Sequence, residues 1–251
     1  MKKNGINSDK LIRNGIQYLT GIRNGVKVFG SNYTPFATPI LDLDFQNNFI
    51  DKSISGLTMI QGQGLPTFGL SGRKSGEYCA NFNGSQSIRT TTNLPLNSDK
   101  VCVKFWMKTN QTALSIILEL SSNFNNFNAF NSTLNGTANR IEITDHTSGG
   151  SNYNVVSSSI DINNNSWVHV IITIDRDLGV NKNKIYLNGV LNYVEFPSAV
   201  ANLNGNWVNN ILYIGQRGGT SLGFIGSLLK YQAFRAVPTD AQAMEIYQND
   251  L

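Results

Sequence analysis

VCVKFWMK, residues 101–108, alternates so that Val101, Val103, Phe105 and Met107 point to one side of an extended chain and Cys102, Lys104, Trp106 and Lys108 to the other. That period of two reads as a half-buried β-strand. SWVHVIITID, residues 166–175, repeats it with Val168, Val170, Ile172 and Ile174 on one face. KIYLNGVLNYVEF, residues 184–196, reads as two strands joined at Asn188-Gly189, because Asn and Gly accept the positive φ angles of a tight hairpin turn. Short strands and amide-rich loops run from about residue 37 to residue 235. The end differs: Pro238 precedes Thr239, and Thr239 with Gln242 fits a capping box ahead of Met244, Ile246 and Tyr247. The expected fold is therefore all-β, closed by a short C-terminal helix.

A chain of 251 residues with 40% hydrophobic content can bury one sizeable core. Only 14% of residues are charged and roughly one in seven is Asn, so polarity comes mostly from neutral amides and hydroxyls. The net charge of +4 comes from Lys and Arg spread along the chain without a run, so no nucleic-acid partner is expected. Cys79 and Cys102 are too few for a disulfide framework and lack zinc-site spacing, and the sequence does not say whether they pair. MKKNGINSDK is charged and polar where a secretory signal would be apolar, and no stretch approaches a membrane span. The expectation is synthesis in a cytoplasm without a signal peptide, and no membrane partner.

The first residues repeat a pattern in which a basic residue, Asn and Gly precede a β-branched residue: Asn4-Gly5, Asn14-Gly15 and Asn24-Gly25. Asn-Gly between apolar alternating segments is a hairpin signal, so residues 1–36 are expected to form small consecutive hairpins outside the sandwich domain of residues 37–251. Such a ribbon has little apolar surface of its own and exposes strand edges. It is expected to fold back on the sandwich, assemble with copies of itself, or dock on another protein. SNYTPFATP, with Pro35 and Pro39, reads as a stiff linker.

The ordered pieces resemble the concanavalin A-like lectin and glucanase superfamily, and within it the laminin G-like jelly rolls. LDLDFQNNFIDKS looks like the opening strand and acidic loop, CANFNGSQSIRT like the strand that follows, and VKFWMKT like the aromatic central strand. SWVHVIITID, KIYLNGVL and ILYIGQR follow in order. FIGSLLKYQAFRAVPTDAQAMEIYQ resembles the closing strand and helix through Phe224, Gly226, Leu228, Phe234, Thr239 and Tyr247. The resemblance implies a two-sheet antiparallel jelly-roll sandwich over roughly residues 40–251. It departs after Leu228, where the family often has acids and this chain has Leu229 and Lys230.

A fold of this kind hosts lectins, glycosidases, protein-binding modules and spacers, so chemistry is read residue by residue. A retaining glycosidase needs two carboxyl groups about 5 Å apart. In RIEITDH, Glu142 and Asp145 are separated by an odd spacing that puts them on opposite strand faces, and they read instead as a solvated strand end. His146 and His169 have no evident nucleophile beside them and read as packed or solvent-facing. No catalytic residue is assigned, and no cofactor is required. Asp42, Asp44 and Asp51 are weak calcium candidates, with polar edge residues as the plainer reading.

Sugar binding asks for aromatic faces and planar amides. Phe124, Phe127 and Phe130 alternate with Asn, at a spacing that favours pinning a long loop onto the sandwich. Trp207 among Asn204, Asn206, Asn209 and Asn210 fits a sugar platform or local packing equally well. Trp207, Asn206 and Tyr153 are the glycan-binding candidates. The docking arm, the lectin-type domain and the lack of an export signal together suggest a non-enzymatic bacteriophage virion protein, and the Asn-rich, low-charge composition also resembles phage fibres. A head fibre, capsid decoration or tail component would meet other virion proteins or its own copies through the arm, and a polysaccharide through the jelly roll. A free bacterial lectin or adhesin is the alternative, and a glycoside hydrolase is less favoured.

Overall fold

The alternating segments are antiparallel strands in the computed structural model, which describes residues 9–13, 16–23, 26–30, 35–121, 130–135, 139–146, 152–156, 161–177, 183–194, 207, 210–218 and 220–251. The chain divides into two compact units, Met1–Pro35 and Phe36–Leu251. In the first, β1 (Asp9–Arg13), β2 (Ile16–Arg23) and β3 (Val26–Gly30) form a three-stranded antiparallel sheet, with Arg13 paired to Ile16 and Arg23 to Val26. Asn4, Gly5, Asn14, Gly15, Asn24 and Gly25 lie outside the described residues.

The second unit contains β4 (Leu41–Leu43), β5 (Met59–Gln61), β6 (Thr67–Gly69), β7 (Cys79–Asn83), β8 (Ile88–Thr90), β9 (Lys100–Lys108), β10 (Ser115–Leu120), β11 (Phe130–Asn135) and β12 (Arg140–His146). It continues with β13 (Asn152–Val156), β14 (Val168–Asp175), β15 (Asn183–Leu187), β16 (Val190–Val194), β17 (Leu212–Ile214), β18 (Ile225–Phe234) and helix α1 (Asp240–Asp250). Among the described residues, one sheet is seven-stranded in the order β13-β12-β11-β10-β17-β8-β5. The other is eight-stranded, β16-β15-β14-β9-β18-β7-β6 with β4 beside β18. The two sheets form the expected jelly-roll sandwich.

The period of two decides which side chains meet between the sheets. Val101, Val103, Phe105 and Met107 of β9 and Val170, Ile172 and Ile174 of β14 join Leu118, Leu120, Ile141, Ile143, Leu212 and Ile214 from the seven-stranded sheet in one core. Each such side chain contributes about 1.5–3 kcal/mol through burial. Phe105 stacks on Tyr231 with ring centroids 5.9 Å apart.

The outward face of β9 corrects the half-buried reading. Cys102, Ile171, Tyr186 and Phe234 pack beneath Ala243 and Ile246 of α1, and Cys79, Trp106 and Leu229 pack with Trp167 and Tyr247. The helix starts where expected: the Thr239 hydroxyl accepts from the Gln242 amide, while Gln242 Oε1 accepts from the Thr239 amide at 2.9 Å. Its other end is held by cations, which suit the negative end of the helix dipole. Arg73 donates to the Asp250 carbonyl at 2.6 Å and Lys230 at 3.4 Å, while Lys104 donates to the Asp250 carboxylate at 2.6 Å.

Two local features shape this seat. Asn188 and Gly189 take φ values of 52° and 78°, and a Cβ on Gly189 would come within 2.8 Å of Tyr247 Cβ, so the hairpin needs glycine for conformation and for clearance. In β18 the pairing with β9 slips between Leu229 and Gln232, and Lys230 takes φ 51°. The two residues that depart from the family's acids thus serve the helix: Leu229 is buried against Tyr247, and Lys230 donates to the Asp250 carbonyl.

Candidate functional site

The seven-stranded sheet has no helix on its outward face among the described residues. Its register sets Ile60 of β5, Arg89 of β8, Tyr213 of β17 and Glu119 of β10 in one cross-strand row. Their neighbours Ile88, Leu212, Ile214, Leu118 and Leu120 point into the core, so strand alternation turns Arg89, Tyr213 and Glu119 outward.

The β5 end is pinned to Ser87, whose carbonyl accepts from Gly62 N at 2.8 Å and whose hydroxyl accepts from Gln63 N at 3.1 Å. A Cβ on Gly62 would stand 2.1 Å from Ser87 Oγ and would displace the hydroxyl that holds Gln63 N. Gln216 Nε2 donates to Gln63 Oε1 at 2.9 Å and to the Gly84 carbonyl at 3.3 Å, which ties the β17 loop to the same corner.

These elements enclose a groove of about 420 Å³ lined by Gln61, Gly62, Gln63, Arg89, Tyr213, Gly218 and Thr220. Beside it Glu119 is only 1% exposed; its Oε2 accepts from Gly218 N at 2.6 Å, and Arg217 Nε faces its Oε1 at 3.9 Å. Burial pushes its carboxyl above the ordinary carboxylate range, opposed by the Gly218 hydrogen bond and the Arg217 charge. The groove offers a phenol ring, two side-chain amides, a hydroxyl and a guanidinium, which suit hydroxyl-rich ligands. Among the described residues no carboxylate lines it, and Glu119 is the acid beside it.

The residues singled out from sequence lie elsewhere. Trp207 is fully buried: Nε1 donates to Asp145 Oδ1 at 3.3 Å, the Arg176 guanidinium sits 4.1 Å from its ring centroid, and Phe130 meets it edge-on. As a surface platform it is corrected, because its ring is spent covering a buried ion pair. Asp145 is likewise no solvated strand end, since Arg176 grips it through two nitrogens at 2.6 and 3.2 Å. Glu142 is half-buried on the opposite face of the strand. Tyr153 falls on β13 opposite Asp145 in the register. Asn206, Phe124 and Phe127 lie outside the described residues, whereas Phe130 is packed in the core.

His169 is buried between Trp106 and Tyr247, with Nε2 3.2 Å from Asp250 Oδ2. Burial holds its imidazole below the ordinary value, although Asp250 pulls the other way. His146 lies on β12 opposite Asn152.

The calcium candidates act as loop staples. Asp51 accepts from the amides of Asp42, Ser53 and Leu57 and from the Ser53 hydroxyl. Asp44 accepts from Gln46 N and pairs with Lys52. Burial raises the Asp42 carboxyl, against a hydrogen bond with Gln232. Among the described residues no group of three or more His, Cys, Asp or Glu side chains converges on a metal position. Cys79 and Cys102 are both buried free thiols, and burial pushes Cys102 up.

The groove residues were missed because they are distant in sequence and meet only through strand pairing. One signal was present: Glu119 is the sole charge in the apolar strand SIILEL, and an acid there must find a partner.

A family model described as the concanavalin A-like lectin/glucanases superfamily matches residues 82–243. No curated protein matches the chain. Among solved structures, the receptor-binding domain of botulinum neurotoxin type G superposes with a TM-score of 0.63 at 19% identity, covering 85% of this chain and 52% of that one. A structure of botulinum neurotoxin type C, whose cell entry is described as dependent on two ganglioside molecules, gives 0.63 at 14% identity, covering 84% and 51%. Domain 4 of AbnA, an extracellular arabinanase from Geobacillus stearothermophilus in complex with arabinotriose, gives 0.64 at 17% identity, covering 84% of this chain and 99% of that one. The chain thus spans about half the length of the toxin domains and nearly all of the arabinanase domain.

Proposed function

From a chain that belongs to the concanavalin A-like lectin/glucanases superfamily, we propose a non-enzymatic carbohydrate-binding protein whose ligand face is the groove on the outward side of the seven-stranded sheet. The observation that carries this reading is the lining itself, where Arg89 stands between Tyr213 and the strand that carries Gln61, with Gln63 just beyond it. A ring can cover the apolar side of a sugar while amides exchange hydrogen bonds with its hydroxyls. Ganglioside dependence in a toxin of this shape and arabinotriose held by an arabinanase domain of this shape support the class of ligand.

The carrier in this reading is a bacteriophage particle, as a head fibre, capsid decoration or tail component. The β1–β3 sheet is its assembly or docking arm, with β1 and β3 as the edge strands that would meet another virion protein or a second copy. Asn-rich, low-charge composition supports the same placement. Mass spectrometry of purified particles tests it: a symmetry-related copy number is expected, and presence only in lysate overturns the virion assignment. A free bacterial lectin is the second reading, favoured by the near-complete coverage of the arabinanase domain. The carbohydrate reading is tested by titrating the full chain against a glycan panel, where the absence of binding to every member overturns it.

A further inference from the structure

Resting on that carbohydrate reading, we propose that the groove selects acidic glycans, with Arg89 as the residue that receives the sugar carboxylate. Arg89 Nη1 makes one long hydrogen bond, to the Thr90 carbonyl at 3.4 Å. Among the described residues no carboxylate forms an ion pair with it, whereas Arg73, Arg176 and Arg217 face Glu77, Asp145 and Glu119.

Its placement is fixed by the sheet. Arg89 sits in the cross-strand row between Ile60 and Tyr213, on a three-residue strand whose neighbours Ile88 and Thr90 are buried. Strand pairing on both sides therefore fixes the backbone from which Arg89 lines the groove. Glu119, the acid of the same row, is already engaged by Gly218 N and Arg217 and does not line the groove. Among the described residues the wall thus carries one positive charge unopposed by a carboxylate, among neutral amides and a hydroxyl.

A guanidinium presents parallel N–H donors that match a carboxylate in a fork, and such charge-assisted bonds are stronger than neutral ones. Tyr213, Gln61 and Gln63 are then left for the ring and hydroxyls of the same sugar. Uronic and sialic acids both present this chemistry, and matched neutral partners distinguish the source.

The test titrates the full-length protein with tetragalacturonate and its methyl ester, and with 3′-sialyllactose and lactose. At least one acidic member is expected to bind about ten- to a hundredfold more tightly than its neutral partner. In that pair, Arg89→Gln is expected to erase the difference at unchanged melting temperature, Arg89→Lys to restore part of it, and rising salt to reduce it. The favoured pair identifies a uronic or a sialic acid. If neutral and acidic members bind wild type equally, or Arg89→Gln keeps the preference, the acidic-glycan inference falls while the carbohydrate reading stands. If neither these four compounds nor the wider panel bind, both fall.

Discussion

The two sheets of the sandwich turn very different faces outward. On the eight-stranded sheet, Trp106, Ile171, Tyr186 and Leu229 are covered by α1, and even Lys104 is only 5% exposed. On the seven-stranded sheet, Arg89 and Tyr213 line an open groove. The same alternation yields a sealed face in one case and an open, grooved face in the other, and the difference is where the C-terminal segment returns. Charges follow suit. Those under the helix converge on Asp250, whereas Arg89 in the groove has no opposing acid among the described residues. Stability and binding should therefore separate by face.

The largest effect belongs to the sealed face. Trp106→Ala removes a ring that packs on Tyr247 and lies 3.8 Å from the Arg73 guanidinium, and is expected to cost about 3–5 kcal/mol in urea unfolding. Glycan affinity of the folded fraction should not change; a loss of affinity at full folding would break the separation.

Asp250→Ala comes next, because it strips Lys104 and His169 of their shared carboxylate. A loss of about 3 kcal/mol is expected from the buried cation left behind, and a variant as stable as wild type would show that the cluster is not a clasp.

The pH dependence sharpens the same point. His169 titrates below its ordinary 6.5 in the folded chain, chiefly through burial, with Asp250 raising it and Lys104 and Arg73 lowering it. Its contribution is complete above pH 6.5 and is lost as pH falls toward the folded value. Asp250 reaches about 2 from 3.8: burial acts upward, but the His169 hydrogen bond and the Lys104 charge outweigh it. The stability it sustains is present above pH 3.8 and lost as pH falls to about 2. Chemical unfolding across pH should therefore show two acid limbs, and His169→Gln should flatten the one that begins near pH 6.5. An unaltered upper limb would assign it to another group.

Thr239→Ala should have the smallest effect, about 1 kcal/mol, by removing one half of the capping box. A much larger loss would mean that α1 detaches and exposes the second face.

Much of this architecture was legible because it is local. Alternation in residues 101–108 and 166–175, the Asn188-Gly189 turn and the Thr239–Gln242 box each lie within a few residues, and each took the expected form. The coverage of β9 on both faces was not legible, since Trp106 and Lys104 meet α1 only after the whole jelly roll has closed. Trp207 misled for the same reason: its Asn-rich neighbours suggest exposure, but the Asp145–Arg176 pair draws it inward from a distant segment. The groove was the least legible part, assembled from β5, β8 and β17 and the segments that follow β5 and β17, whose register no single segment encodes.

The most direct test of the open-face claim is a glycan titration of wild type and Tyr213→Ala, with urea unfolding of both. The expected result is binding by wild type, at least tenfold weaker binding by the variant, and stabilities within about 1 kcal/mol of each other. Equal affinities for the two proteins would contradict the account and move the ligand off the seven-stranded sheet.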